Sequence, residues 1–314
     1  MKTLLFLCGG PGVFRMGRGQ GGIRPFRVWR AGAGVRAVSG NGLRPGGGRA
    51  IMAHGVPGSA GQRRRQGGLP CGGNGWGRKM RFVIDGRVFA AIPDMVAGVV
   101  VAQGVDNTRE RPEVSAMLAQ SVAAAQARFS GQEVKKAGEI VPYREAFRAL
   151  GINPNRFPCS AEALFSRIGK GKGLPSINPL VDLNNAVSLK YVIPMGTHDL
   201  KDVPDAIEMR PATENDRFLP FGGGREEVPD SGEVVYAVGH QVRTRRWTWR
   251  QSENGKITAK TSAVFFPIDG FAGFNDVAVK AAANELAEKL VACFGAEVRT
   301  GFVDRDHPEF VWSF

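Results

Sequence analysis

Six side chains suited to holding a small polar group fall in one window, Leu174–Asp199: Asn178, Asp182, Asn184, Asn185, His198 and Asp199. Asn and Asp are poor helix formers, because their side chains compete for backbone hydrogen bonds. A cluster of them on and beside a helix predicts either a polar pocket wall or a network of buried caps. The chemistry on offer is recognition by hydrogen bonding. No GxSxG, HExxH or GxxxxGK[ST] motif occurs. The four histidines, His54, His198, His240 and His307, stand in no metal-ligand spacing, so neither a metal nor a cofactor is expected.

Two other stretches carry possible chemistry. Val242–Arg250, VRTRRWTWR, reads as a strand. Alternation then puts Arg243, Arg245, Trp247 and Trp249 on one face, with Arg246 and Arg250 on the other. Guanidinium beside indole suits RNA, through phosphate pairing and base stacking. A sheet edge with core tryptophans and snorkelling arginines fits equally. Gly169–Gly173 is a basic loop whose Lys170 and Lys172 either hold phosphate or line a solvated turn. Cys159, at a helix start, is either a reactive thiol or a buried one.

The elements that must position these groups follow from punctuation and periodicity. Asn178 caps and Pro179 opens a helix running to about Tyr191. Ser160 is a natural N-cap for Ala161–Ile168. Pro112 and Pro142 open two earlier helices, and Asn275 caps a last one from Asp276 to Phe294. Arg81–Ala91 reads as a hairpin turning at Asp85-Gly86. Strands are expected at Val96–Ala102, Val203–Arg210, Gly232–Val238, Thr258–Ile268, Glu297–Val303 and Glu309–Trp312. The expected fold class is α+β, a mixed β-sheet core with flanking helices.

Charge is divided unevenly. The chain carries 42 Lys and Arg against 29 Asp and Glu. Residues 1–79 hold 14 of the basic residues and no acidic one, which leaves 28 against 29 beyond them. The basic excess therefore belongs to the leader and gives no global nucleic-acid signature to the rest. That leader also holds 23 of the 43 glycines and is expected to be disordered, or a spurious extension with Met80 as the natural start. Residues 80–314 are expected to form one domain. Four cysteines without a CxxC pair argue against a disulfide framework and fit a reducing, cytoplasmic setting. No apolar run reaches 18 residues, so no membrane span is expected.

The order of motifs resembles the tRNA-binding and editing module, called B3/B4, of the phenylalanyl-tRNA synthetase beta subunit, and the free-standing proteins built on it. The residues that carry the likeness are Leu174-Pro175, Ile177-Asn178, Val181-Asp182, Asn184-Asn185, Pro194 and Asp199. Upstream, Ser160–Leu164 and Arg167 look like that module's serine-led helix. Trp247, Trp249 and Arg250 match a W-x-W-R of the free-standing relatives. The likeness runs from about Val141 to Asp269.

The resemblance implies a tRNA partner and hydrolysis of a wrongly attached amino acid. It implies a substrate site at Ser160, Asn178, Asp182, Asn184, Asn185 and Asp199. Asn184 and Asn185 would bind the substrate carbonyl or amine, and His198 is the candidate general base. RNA contacts would fall to Lys170, Lys172, Arg243, Arg245, Trp247, Trp249 and Arg250. Gly196 stands where the synthetase has histidine, and Pro267 where it has glutamate, with Asp269 displaced nearby. The tyrosine-rejecting pocket is therefore not intact, and a different amino acid is implied. No synthetase catalytic domain is recognisable, so aminoacylation itself is not expected. Two further readings stay open: a non-catalytic module for RNA or an amino-acid-like ligand, and a small-molecule hydrolase or amidase. All three rest on one geometric expectation. The Asn184-Asn185 helix and the Trp247–Arg250 ribbon must line a common cavity.

Overall fold

A computed structural model describes residues 79–314, and the expected leader lies outside the described residues. The strands are β1 (Met80–Ile84), β2 (Met95–Gln103), β3 (His198–Asp199), β4 (Ala206–Pro211), β5 (Val234–Val238), β6 (Gln241–Arg245), β7 (Arg250–Gln251), β8 (Ala263–Phe271), β9 (Glu297–Val303) and β10 (Glu309–Trp312). The helices are α1 (Gly86–Ala91), α2 (Pro112–Phe129), α3 (Val141–Ala149), α4 (Ser160–Gly169), α5 (Pro179–Tyr191) and α6 (Asp276–Phe294). The fold class is α+β.

The strands form two sheets instead of the single sheet expected. One is mixed, in the order β10-β1-β4-β5-β6-β7, with β1 and β4 parallel. The other is antiparallel, in the order β3-β8-β2-β9. The split follows from β2, which is buried along nearly its whole length. Its Ala97, Val99 and Val101 pack with Phe82, Ile84 and Met209 of the mixed sheet. Val100 and Ala102 instead join Val279, Leu286 and Leu290 of α6. A strand without a polar residue from Met95 to Ala102 must be covered on both faces, here by a sheet and by a helix.

Strand β8 obeys the same alternation. Val264, Phe266 and Ile268 face α6, whereas Phe265 and Phe271 face the mixed sheet. Asp269 has the parity of the second set, which carries a carboxylate into the space between the sheets. The next residue, Gly270, lets α6 approach. A Cβ there would stand 2.5 Å from Val279 Cγ2 and 2.7 Å from Asn275 Oδ1. Gly270→Ala should therefore cost about 1–3 kcal/mol through overpacking, seen as a lower urea midpoint with an unchanged slope.

Helix α5 begins as its sequence says. Asn178 Oδ1 accepts from the Val181 amide at 3.1 Å, and Pro179 follows in the first turn. Four expectations need correction. Asp85 accepts from the Arg87 amide and caps helix α1, so no hairpin forms there. Strand β1 finds its partners in β4 and β10. The N-cap of α4 is Cys159, and Ser160 is its first helical residue. Strand β4 starts at Ala206, later than expected. Thr258–Thr261 is a turn closed by a 2.9 Å bond from the Thr258 amide to Thr261 Oγ1, so β8 starts only at Ala263.

The largest correction concerns the Arg/Trp ribbon. Strand β6 ends at Arg245, and Arg246 and Trp247 take positive φ angles of 47° and 58°. The chain then reverses, and β7 pairs back on β6 with Thr244 opposite Gln251. The reversal is fixed from outside. The Glu233 carboxylate accepts from the Arg246 amide at 3.0 Å and from Arg245 at 2.9 and 2.8 Å. Strand alternation therefore does not govern where the two tryptophans point.

Candidate functional site

A cavity of about 130 Å³ opens between α5, the reversal after β6, and strand β8. Asn184 and Asn185 line it from α5, and Trp247, Trp249 and Arg250 line it from the reversal. Ser160, His198, Tyr236, Thr248 and Asp269 add further polar groups to the wall. The remaining wall is largely apolar, with Leu164, Val181, Met195, Ile257 and Pro267. Helix and reversal thus share one concavity.

Several polar groups in this wall have nothing to bond to. Asn184 Oδ1, Asn185 Nδ2 and both ring nitrogens of His198 are buried without a hydrogen-bond partner. Buried polar atoms in native folds are nearly always satisfied, so unpaired ones around one cavity mark a place for a polar ligand. Burial, reinforced by the Arg243 guanidinium, pushes the His198 imidazole down to about 3. His198 is therefore neutral at physiological pH.

Asp269 anchors the opposite wall. Its Oδ1 accepts from Tyr236 Oη at 2.6 Å and from Trp247 Nε1 at 2.9 Å. Tyr143 Oη donates to its backbone carbonyl at 2.8 Å. Burial pushes the carboxyl up to about 7 against the pull of those two side-chain donors. Tyr236 links the walls, since its ring also lies 5.7 Å from that of His198. Trp247, fully buried, packs its indole 5.8 Å from Phe147 and 5.9 Å from Phe271. Sequence reasoning missed Tyr236 altogether and saw Asp269 only as a displaced acid. The available signal was the parity of β8, which separates Asp269 from Ile268 and places it with Phe265 and Phe271.

The remaining expected site residues lie elsewhere. Asn178 is a cap, and Asn107 Nδ2 braces it at 3.1 Å. Asp182 accepts from Ser176 Oγ and from the Ile177 amide, fastening the turn before α5. Asp199 closes a turn by accepting from the Lys201 amide at 2.8 Å and from Thr261 Oγ1. These three carry out the buried-cap half of the expectation, while Asn184 and Asn185 carry out the pocket-wall half.

Lys170 and Lys172 are exposed in the loop after α4 and do not line the cavity. Arg243 is buried to 2% exposure, with Nε and Nη2 unpaired, and its guanidinium lies against Gly255. Arg245 is buried in ion pairs with Glu233 and Glu227. Neither arginine presents its charge to solvent as the ribbon expectation required. Trp249 is half-buried against Phe157, and Arg250 lies over its ring. Burial pushes the Cys159 thiol up to about 12, which removes the reactive-thiol alternative at neutral pH.

A second cavity, about 480 Å³, is lined by residues of α2, α4, α5 and α6. Its ionic groups include the Lys190–Glu285 pair at 2.7 Å, which is already satisfied. It lacks the unpaired buried amides of the first. Among the described residues no group of three or more His, Cys, Asp or Glu could hold a metal ion, and no helix is long and apolar enough to cross a membrane.

Residues 142–292 match the model of the B3/4 domain. Over those 151 residues, a little under half of the chain, the sequence is similar to a B3/4 domain. The match extends beyond the sequence likeness, through most of α6. Every residue named in the cavity wall lies inside it. A solved structure, an N-terminal fragment of the phenylalanyl-tRNA synthetase beta-subunit from Pyrococcus horikoshii, is similar at 12% identity and a TM-score of 0.40, covering 69% of this chain and 50% of that one. The chain thus spans half the length of that fragment. No curated protein matches the chain.

Proposed function

We propose that the B3/4 cavity receives the aminoacylated end of a tRNA and hydrolyses a mischarged ester in trans. The observation that carries this reading is the pair of adjacent α5 amides, with Asn184 Oδ1 and Asn185 Nδ2 unpaired in the same cavity as Trp249 and Arg250. An aminoacyl ester is already activated, so a positioned water and a donor for the developing oxyanion suffice. Asn185 Nδ2 is the donor. Trp249 and Arg250, half-buried at the reversal, offer a stacking face and a cation to the terminal nucleotide.

The low basicity of His198 changes its role. An imidazole whose conjugate acid lies near 3 takes a proton poorly at neutral pH. It serves instead as a neutral group that orients the water. Asn185→Ala should lower the deacylation rate by about 10²- to 10³-fold, the usual cost of one oxyanion donor. Single-turnover release of amino acid from mischarged tRNA measures this. A gel shift with deacylated tRNA, repeated over a range of salt, tests the RNA half of the reading. Binding should weaken steeply as salt rises. Binding indifferent to salt, or none at low salt, would favour the small-molecule hydrolase.

A further inference from the structure

The cavity wall contains one carboxylate, Asp269, and one permanent cation, Arg250. Asp269 is 2% exposed, and both of its side-chain hydrogen bonds fall on Oδ1. Among the described residues no donor reaches Oδ2. Asn184, also on this wall and 5% exposed, has its side-chain oxygen unpaired. The cavity wall therefore holds two oxygen acceptors that no protein donor reaches, Asp269 Oδ2 and Asn184 Oδ1, beside the unpaired hydroxyl of Thr248. A buried carboxylate with an open oxygen is stabilised most by a cation that brings several N–H donors. An ammonium group does so, with three N–H donors and no acceptor.

We propose that the cavity selects its ligand by a free primary amine, whose ammonium sits between Asp269 Oδ2 and Asn184 Oδ1. Asp269 is then the specificity-determining residue. The inference rests on the aminoacyl reading above and names the group in the ligand that is recognised. It also gives the ligand a direction. The amine lies toward β8, the aliphatic side chain lies against Val181 and Met195, and the carbonyl lies near Asn185. The ester oxygen and its nucleotide leave toward Arg250. An N-acylated ligand fails twice, because it lacks the charge and places an amide carbon where the ammonium must fit.

The test uses the full chain and small amides that cannot be hydrolysed as esters. Alaninamide, valinamide and leucinamide are titrated by calorimetry beside their N-acetyl counterparts. The free amines should bind at least tenfold more tightly. Asp269→Asn keeps an oxygen for Tyr236 and Trp247 but removes the charge, and it should abolish the preference. Asn184→Ala removes an oxygen that no protein group uses, so the fold is spared and the preference should shrink several-fold. Equal binding of acetylated and free amides, an unchanged preference in Asp269→Asn, or no binding of any free amide at millimolar concentration would overturn the inference.

A tRNA arm separates this failure from failure of the wider reading. If mischarged tRNA is deacylated equally well after acetylation of its amine, hydrolysis stands and amine selection falls. If the amides show the preference but no tRNA is deacylated, amine selection stands and the editing reading falls.

Discussion

Trp247→Ala should lower the stability of the fold by about 3–5 kcal/mol, the usual cost of deleting a large buried aromatic side chain. Trp247 is fully buried among Tyr143, Phe147 and Phe271, so its removal opens a cavity on three sides. The substitution also removes one of the two side-chain donors to the Asp269 carboxylate, leaving Tyr236 alone. Trp247→Phe separates the two costs. It keeps much of the volume but not the N–H, and should lose about 1–3 kcal/mol, the cost of one hydrogen bond to a buried carboxyl group that keeps only its Tyr236 donor. Urea denaturation of the three proteins measures both. Because Trp247 also takes a positive φ, a smaller side chain relieves backbone crowding only slightly and does not offset the cavity.

The second large effect is in pH dependence, and it is hidden in the natural protein. Asp269 sits near 7 when folded, against 3.8 for a free aspartate carboxyl. Between those values the folded chain holds a proton that the unfolded chain has released. The stability from this group is full below about pH 4 and is lost as pH rises toward 7. His198 sits near 3 when folded, against 6.5. Between those values the unfolded chain holds a proton that the folded chain does not. Stability from His198 is full above about pH 6.5 and is lost as pH falls toward 3. The two slopes have opposite signs over nearly the same window and cancel.

Removing either residue exposes the other. In Asp269→Asn the His198 contribution is no longer offset, so stability should rise with pH from about 3 to 6.5 by about 1.4 kcal/mol per pH unit. His198→Gln should show the reverse slope between about pH 4 and 7. Denaturation midpoints taken at five pH values check both signs. Parallel curves for the variants and the natural protein would mean that neither group is buried in the charge state described.

What was legible in the sequence was local. Asn178-Pro179 announced α5, and Pro112 announced α2, because a cap or a proline acts on its own turn. The apolar run of β2 announced burial on both faces. The amides Asn184 and Asn185 were found because polar residues inside a helix otherwise flanked by Leu, Val and Ala require a reason. What stayed hidden was set by distant partners. The reversal at Arg246 and Trp247 depends on Glu233, and the direction of the Trp247 indole depends on Asp269. Neither acid is near the tryptophan in sequence, so a strand reading of VRTRRWTWR had nothing local to contradict it. At Asp85 the local signal suited two outcomes. Asp-Gly serves a hairpin or a helix start, and the strand pairing of β1 with β4 and β10 decided between them.

The central claim is that the α5 amides and the reversal after β6 form one site for an aminoacyl ester. The most direct test is release of free amino acid from a panel of mischarged tRNAs incubated with the full chain. At least one member should be deacylated well above its spontaneous rate, and the Asn184→Ala, Asn185→Ala double variant should return that member to the spontaneous rate. A panel in which no member is released faster than in buffer, or a double variant as active as the natural protein, would contradict it.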